Sequence, residues 1–370
     1  MLRTLGILAL ICAAAFGLHL VLDSIDAYWA RIANLCGISI LLAVSLNVIN
    51  GLCGQFSLGH AGFMAIGAYV SAFFTTTLRY FDDAAGQYVT VLPLLDQSWG
   101  FVPALLLGGF AAAAAGLVIG IPTLRLRGDY LAIATLGFGE IVTIMITNFS
   151  KVGGANGLSG IPAYSNGFWI FTFAGICVLF TLHLQRSTFG RALIAIRENE
   201  LAAEVMGIRT ARIKIAAFVY GAFFAGIAGG LLGHFLQTIS PATFGFMKSI
   251  EVIVMLVLGG LGSLTGAIIG AVTLTVLPEL LRDVETSTGM PGIRMVVYSL
   301  VLILLMLFRP QGIFGQRELS LRLLRSLLPG RRKEGAPSAP AAFTAQQSVE
   351  AKTFFARAPQ TLPPQNEGKK

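Results

Sequence analysis

Four polar side chains lie in otherwise apolar surroundings and are of types that bind ligands or carry protons. Gln55, Ser57 and His60 alternate with glycines in the run GLCGQFSLGHAGFMAIGAYVS, and Glu140 ends the run RGDYLAIATLGFGE. An ionisable side chain inside a long apolar segment is a functional candidate by default. The structural alternatives are a buried hydrogen-bonding role for His60 and a buried polar contact to a neighbouring helix for Glu140. The residues alone leave both alternatives open.

The glycines of the first run interrupt an apolar segment at five positions, 51, 54, 59, 62 and 67. Small residues let helices approach closely, and a broken helix at membrane depth is tolerated where it is buried in protein or lines a water-filled cavity. We therefore predict a pathway through the protein, lined by these residues: Gln55, Ser57, Gly59, His60, Gly62 and Glu140.

A charged segment at 186–214, RSTFGRALIAIRENELAAEVMGIRTARIK, carries nine of the 29 charged side chains that precede residue 309. Its pattern predicts a short helix 192–197 capped by Thr188. A second helix is predicted to be capped by Asn199 and ended by Gly207 in a left-handed turn. Such helices would present three apolar side chains, Leu201, Val205 and Met206, to a partner. The alternative is a solvated loop with helical character.

Motifs for catalysis are missing from the sequence. It has no GxxxxGK[ST] phosphate loop, no HExxH and no GxSxG, so it lacks the usual means of ATP hydrolysis or proteolysis. The four cysteines have no metal-ligand or CxxC spacing and are interpreted as small buried side chains. The chain is expected to be non-catalytic and to bind no cofactor or metal.

The elements that must position these residues are membrane helices. Hydrophobic residues make up 55% and charged residues 12% of the 370, and mean hydropathy is +0.77; soluble domains carry about 25% charged residues. We predict an all-α polytopic membrane protein with about ten transmembrane helices, some short or broken. The predicted spans are 5–22, 30–49, 58–77, 101–121, 130–147, 167–184, 213–236, 250–262, 264–281 and 293–308.

The distribution of Lys and Arg predicts the orientation. With ten spans and a cytoplasmic tail, 20 of the Lys/Arg residues lie inside and 6 outside, as the positive-inside rule requires. Both termini and the charged segment are then cytoplasmic. Residues 1–312 form a transmembrane domain, and residues 313–370 form a basic, Pro/Ala-rich and partly disordered cytoplasmic tail. The basic tail serves as an orientation signal rather than a nucleic-acid site.

Five ordered runs between about residues 30 and 312 resemble a known family. GLCGQFSLGHAGFMAIGAY, RGDYLAIATLGFGE, GGANGLSGIP, RENELAAEVMGI and LGGLGSLTGAIIGA are similar to the membrane subunit of ABC importers for branched-chain amino acids, with most similarity to its M-type permease. The resemblance implies a permease of the bacterial inner membrane. It also implies several partners: a homologous second permease, two cytoplasmic ATPases that use ATP and Mg, an external solute-binding protein and an amino-acid substrate.

By the same resemblance, the charged segment is the loop that docks on the ATPases. The family commonly shows EAA, three residues and then Gly, whereas this chain has Leu-Ala-Ala with the acidic residue displaced to either side. The implied coupling residues are Arg191, Arg197, Glu200, Leu201, Ala202, Ala203, Glu204 and Gly207.

Two alternatives for function stay open at this stage. Permeases for urea and short-chain amides share nearly all of these motifs, so the motifs do not determine the substrate. An ion-coupled secondary transporter is the alternative from a different class.

Overall fold

A computed structural model describes residues 2–77, 79–82, 87–90, 101–124, 126, 128–282, 285, 287, 292–308 and 312–313. The predicted disordered tail lies outside the described residues, apart from Ile313. The fold therefore concerns the apolar part of the chain.

Twelve α-helices are assigned within the described residues. They are α1 (Leu2–Asp23), α2 (Ala27–Leu46), α3 (His60–Thr77), α4 (Phe101–Thr123), α5 (Asp129–Asn148), α6 (Gly167–Arg186), α7 (Thr188–Glu198), α8 (Glu200–Val205), α9 (Thr210–Leu236), α10 (Phe246–Gly259), α11 (Leu264–Leu280) and α12 (Ile293–Phe308). Short 3₁₀ turns lie at Ser150–Val152, Gly154–Asn156 and Pro241–Phe244.

Each predicted span falls on one of these helices, which confirms the all-α polytopic class. Six helical stretches in the described chain are long and apolar enough to cross a membrane: Ala27–Leu52, Phe101–Thr123, Asp129–Asn148, Gly167–Arg186, Thr210–Leu236 and Pro241–Gly259. Shorter apolar helical segments cover 9–23, 264–280 and 295–304. These long apolar helices make the chain a multi-pass membrane protein. Helices suit lipid because they satisfy their own backbone hydrogen bonds.

The centre of the bundle is formed by α3, α4 and α9, which approach closely at glycines. A Cβ atom placed on Gly67 would collide with the Gly226 carbonyl oxygen of α9. A Cβ atom on Gly108 of α4 would lie 2.6 Å from the Gly67 carbonyl oxygen. Glycines therefore let α3, α4 and α9 pack closely, since small residues bring membrane helices together.

Two short antiparallel ribbons interrupt the helical fold. Strand β1 (Arg79–Asp82) pairs with β2 (Gln87–Thr90), and β3 (Leu158–Ser159) pairs with β4 (Thr238–Ile239). The second ribbon joins the loop after α5 to the end of α9, with Leu158 opposite Ile239. It follows a turn at Asn156–Gly157, where Gly157 adopts φ +77°.

Helices α10 and α11 are joined by a tight turn at residues 260–263, which is named here the α10–α11 turn. Gly260 has φ +116° and Gly262 has φ +87°; Gly260 caps the end of α10, and Gly262 lies in the turn between the two helices. The Ser263 hydroxyl accepts a hydrogen bond from the Gly266 N–H at 3.1 Å and caps α11. After α12, the Ile313 N–H donates to the Leu258 carbonyl at 2.9 Å, so the chain returns to the end of α10.

Candidate functional site

The glycine-rich run forms a break between α2 and α3. Helix α2 continues into a π-helical stretch, Asn47–Leu52, and regular helix resumes only at His60. Residues 47–59 are named here the break. The loop folds back on the π-helix: the Gln55 N–H donates to the Ile49 carbonyl at 3.1 Å, and the Ser57 N–H donates to the Asn50 side chain at 3.2 Å. The predicted interruption is therefore real.

The interruption ends earlier than the glycine pattern suggests. Gly62 and Gly67 lie inside the regular helix α3. There they serve close packing, as Gly62 does against Gly139 of α5, where an added Cβ would lie 2.9 Å from the Gly139 Cα. Both glycines lie within the predicted span 58–77, where small size matters and backbone freedom does not.

The start of α3 is held by side chains of two other helices. The Leu58 N–H donates to the Thr135 hydroxyl of α5 at 3.0 Å, and the Ala61 N–H donates to the Ser249 hydroxyl of α10 at 3.2 Å. The first N–H groups of a helix have no partner within the helix and need one in an apolar setting. These two caps tie the break to α5 and α10. Sequence reasoning missed them, because nothing local marks partners that lie 77 and 188 residues away.

His60 is fully buried in the first turn of α3 and contacts α2. Its Nε2 lies 2.8 Å from the Ser45 hydroxyl, and that hydroxyl donates to the Leu42 carbonyl at 2.8 Å. Because the Ser45 proton is used in that bond, the oxygen accepts a hydrogen from His60 Nε2. This places a hydrogen on Nε2 and leaves Nδ1 as an acceptor.

Unpartnered polar atoms are concentrated in the break and at His60, the first residue of α3. Nine buried side-chain polar atoms in the described residues lack a hydrogen-bond partner within the protein, and five of them belong to the fourteen residues 47–60. A buried polar atom without a partner is destabilising by about 1–3 kcal/mol, so such a concentration is typical of a site that water or a ligand completes. The five atoms are Asn47 Nδ2, Asn50 Nδ2, Gln55 Oε1, Ser57 Oγ and His60 Nδ1.

Glu140 lies on α5 beside a separate small cavity. The cavity also contacts Gly62, Gly139 and Ser249, and its volume is about 10 Å³, roughly the volume that one water needs. Glu140 is half-buried and makes no side-chain hydrogen bond or ion pair within the part of the chain that the structure describes. The structure thus brings Gly62 and Glu140 together, while Gln55 and His60 lie outside the lining of this cavity.

The charged segment forms two helices, as predicted, with one correction. Helix α7 begins four residues earlier than expected and is capped by Ser187, whose hydroxyl accepts from the Gly190 N–H at 3.1 Å. The prediction that Thr188 is the cap is wrong by one residue, because Thr188 itself has helical geometry. The predicted cap of α8 is confirmed: the Asn199 side chain accepts from the Ala202 N–H at 3.0 Å.

Helix α8 ends as its sequence predicts. Gly207 adopts φ +84°, and its N–H donates to the Glu204 carbonyl at 2.9 Å. The Ile208 N–H donates to the Ala203 carbonyl at 3.0 Å, which completes a Schellman-type ending. This ending leaves a large apolar surface exposed. Its residues are Leu201, Val205 and Met206, which are 60%, 87% and 81% exposed.

Two polar contacts hold α8 against the first turn of α9. Lys214, which is 4% exposed, forms an ion pair with Glu200 at 2.6 Å, and the Thr210 hydroxyl donates to Glu204 at 2.7 Å. Sequence reasoning counted Lys214 among the nine charges of the segment and missed this pairing; the signal for it was opposite charge 14 residues apart. Burial also raises the pKa of the nearby Cys53 thiol to about 12, with Lys214 lowering it and Glu200 raising it. Cys53 therefore stays protonated, as a small buried side chain.

The remaining predicted coupling residues differ in their surroundings. Ala203 is the buried residue of α8, whereas Ala202 and Arg191 are exposed. Among the described residues, the Arg191 side chain donates only to the Arg186 carbonyl, at 3.5 Å. Arg197 instead turns inward and donates to the Gly51 carbonyl at 3.0 Å. The break and the charged segment, recognised separately in the sequence, are therefore in direct contact.

Comparison with known proteins gives consistent matches. The family described as branched-chain amino acid transport system / permease component matches residues 28–308. The high-affinity branched-chain amino acid transport system permease protein LivM of Escherichia coli (strain K12) is 36% identical over 336 residues, covering 81% of this chain and 73% of that protein. LivH of Salmonella typhimurium is 28% identical over 303 residues, covering 75% and 91%. BraD of Pseudomonas aeruginosa is 29% identical over 302 residues, covering 75% and 92%. No solved structure matches the chain.

Proposed function

This chain belongs to the family of permease components of branched-chain amino acid transport systems, and on that premise we propose that it is the transmembrane permease subunit of an ATP-driven importer of branched-chain amino acids. The observation that supports the proposal is the exposed surface of α8. This surface is continuous and apolar and lies on a capped, ion-paired helix, in a chain without a phosphate-loop motif of its own. A surface of this kind on a polar helix is suited to a protein partner.

The proposed assembly has this chain in the bacterial inner membrane with both termini in the cytoplasm. A homologous second permease lies beside it, two cytoplasmic ATPases bind the charged segment, and an external binding protein delivers the amino acid. ATP and Mg are used by the ATPases, and this chain binds no cofactor. The relatives support a pair of permeases, because the chain is similar both to a LivM and to a LivH protein.

The proposed pathway passes the break and Glu140. Binding pockets for small molecules have volumes of about 300–1,000 Å³, whereas the cavity beside Glu140 measures about 10 Å³. We propose that this geometry is a closed state and that ATP-driven movement of the charged segment opens the pathway. The unpartnered polar atoms of the break then meet the substrate or its water.

Uptake measurements test the proposed function directly. Labelled leucine, isoleucine, valine and urea are supplied to cells with and without this chain, with ATP and the proton gradient depleted separately. The proposal predicts that deletion and ATP depletion each abolish uptake of the branched-chain amino acids, while an uncoupler used at constant ATP has little effect. If deletion abolished only urea uptake, the assignment of branched-chain amino acids as substrate would be wrong. If uptake followed the proton gradient, the ATP-driven mechanism would be wrong.

The role of Glu140 is tested by Glu140→Gln, which removes the charge and keeps the shape. If the carboxylate lines the pathway, uptake at saturating substrate falls by roughly 10- to 150-fold, the effect of losing one charge-assisted hydrogen bond of about 1.5–3 kcal/mol. The Gly137→Ala variant on the same helix is a matched control, because its added Cβ has no heavy atom within 4 Å. Unchanged uptake and affinity in Glu140→Gln would assign Glu140 to packing alone.

Docking of the ATPases is tested by Gly207→Pro. Proline removes the N–H that donates to Glu204, and its φ near −65° is incompatible with the observed +84°. The end of α8 is then lost, and we expect the ATPases to be missing from the purified complex. Gly207→Asn is the matched control, since Asn tolerates left-handed geometry. Retention of the ATPases and of ATP-driven uptake in Gly207→Pro would contradict docking at α8.

A further inference from the structure

Arg197 lies at the end of α7 and holds two contacts at once. Its Nε and Nη2 donate to Glu198 at 3.2 and 2.8 Å, and its Nη1 donates to the Gly51 carbonyl at 3.0 Å. The Arg197 side chain is 21% exposed, whereas Glu198 is 67% exposed. The guanidinium therefore faces the protein, and the flat arrangement of its donors fixes its direction.

Glycines on two separate segments make room for this side chain. A Cβ atom on Gly54 of the break would lie 2.7 Å from Arg197 Cγ. A Cβ atom on Gly262 of the α10–α11 turn would lie 2.7 Å from Arg197 Nη1. Arg197 thus lies between the break and the turn, and a side chain at either glycine would displace it.

The break and the turn are also joined directly. The Gly262 N–H donates to the Asn47 side-chain oxygen at 3.0 Å, and a Cβ on Gly51 would lie 2.5 Å from the Gly262 nitrogen. A displacement of Arg197 therefore acts on two backbone segments that are already in contact.

An apolar contact supports the same connection. Leu193, one turn before Arg197, is fully buried in a cluster with Val48, Leu52 and Cys53 of the break. Because packed side chains transmit displacement with little compression, α7 is attached to the break by packing as well as by the Arg197 hydrogen bond.

We propose that Arg197 is a positioning residue that couples movement of the charged segment to the pathway, by holding the break and the α10–α11 turn as one unit. This inference rests on the proposed function and adds to it a specific connection inside the permease. The apolar surface of α8 binds the ATPase, and Arg197 transmits the resulting displacement inward. Arg197 itself has no need to touch the ATPase.

The test uses the complete importer purified and reconstituted in vesicles, with labelled leucine and its binding protein. Arg197→Gln removes the charge and the donors that reach Gly51. Arg31→Gln is the matched control, because Arg31 is exposed, lies outside the charged segment and has no side-chain partner among the described residues. Three quantities are measured: ATPase retained per permease, ATP hydrolysed, and leucine transported per ATP.

We expect Arg197→Gln to retain the ATPases and to hydrolyse ATP, while leucine transported per ATP falls by about tenfold, the equivalent of one lost charge-assisted hydrogen bond. Arg197→Lys keeps a charged donor without the planar geometry and should recover part of the ratio. A merely structural role would lower the amount of complex without changing this ratio in the complexes that remain. If the complex with Arg197→Gln does not assemble, the leucine transported per ATP by the Arg197→Lys complex tests the inference instead.

Two results would overturn the inference. One is an unchanged ratio of leucine to ATP in the Arg197 variants, and the other is loss of bound ATPases from both variants, which would make Arg197 a docking contact. Failure of the proposed function looks different, because the wild-type chain would then transport no leucine in response to ATP.

Discussion

Replacing Glu200 with glutamine removes its charge, keeps its shape and leaves the Lys214 ammonium buried without a counter-charge. Lys214 is 4% exposed, and its nitrogen lies 2.6 Å from Glu200. The structure gives it no other ion pair or side-chain hydrogen bond within the described residues. Glu200→Gln is therefore expected to destabilise the junction of α8 and α9, on which the exposed surface of α8 depends.

The size of the expected destabilisation follows from how deeply the Glu200–Lys214 ion pair is buried. Breaking a fully buried ion pair by removing one partner is destabilising by about 3–5 kcal/mol. Glu200 is 26% exposed, so water reaches the pair from one side, and we expect about 2–3 kcal/mol. The reverse change, Lys214→Met, removes the buried charge itself and leaves Glu200 where water can solvate it. It is expected to destabilise the protein by less than about 1 kcal/mol, since a methionine fills a similar volume.

Thermal unfolding of the purified protein in detergent, together with the amount of ATPase that co-purifies, measures the effect. The double variant Glu200→Gln/Lys214→Met should resemble Lys214→Met, because no unpaired ammonium remains. The expected order of stability places Glu200→Gln last. If Lys214→Met were as damaging as Glu200→Gln, or if the double variant were the least stable, the reasoning from buried charge would be refuted.

Two further substitutions test the packing and the break. Gly67→Ala should lower the free energy of unfolding by about 1–3 kcal/mol through overpacking, because the new methyl group collides with the Gly226 carbonyl. The yield of folded protein in detergent measures this, and a yield equal to that of Gly137→Ala, whose methyl group enters open space, would contradict it. Ser45→Ala should destabilise by about 0.5–1.5 kcal/mol, because the hydrogen bond between the Ser45 hydroxyl and His60 Nε2 is lost; in thermal unfolding, an unchanged Tm would show that the Leu42 carbonyl takes over as acceptor.

The span positions were predictable because lipid imposes a simple rule on sequence. Each crossing helix needs a long apolar run, so the runs alone placed α4 at 101–121 against the observed Phe101–Thr123, and α6 at 167–184 against Gly167–Arg186. Local caps were nearly as accessible, since Asn199 and Gly207 act within a few residues of themselves. Signals of this kind are contained in a short window of the chain.

The candidate site was predictable only in part, because its connections are not local. The sequence indicated Gln55, Ser57 and His60 as unusual polar residues, but their relation to Glu140 depends on how α3 and α5 pack. The contact between Arg197 and Gly51 joins residues 146 apart and uses a backbone carbonyl. No residue type in the sequence marks a carbonyl as a partner, so this contact required the folded structure.

The caps at the start of α3 constrain how the break can move. Thr135 and Ser249 supply acceptors for Leu58 and Ala61 from α5 and α10. Helix α10 carries Ser249 near one end and is followed at the other by the turn that contacts Arg197. Because a helix transmits displacement along its axis as a nearly rigid rod, moving that turn also moves the acceptor of Ala61. In the proposed coupling, a shift of the charged segment reaches the break directly at Gly51 and reaches the start of α3 through α10. These two contacts lie next to Asn50 and His60, which carry side-chain polar atoms without a partner among the described residues.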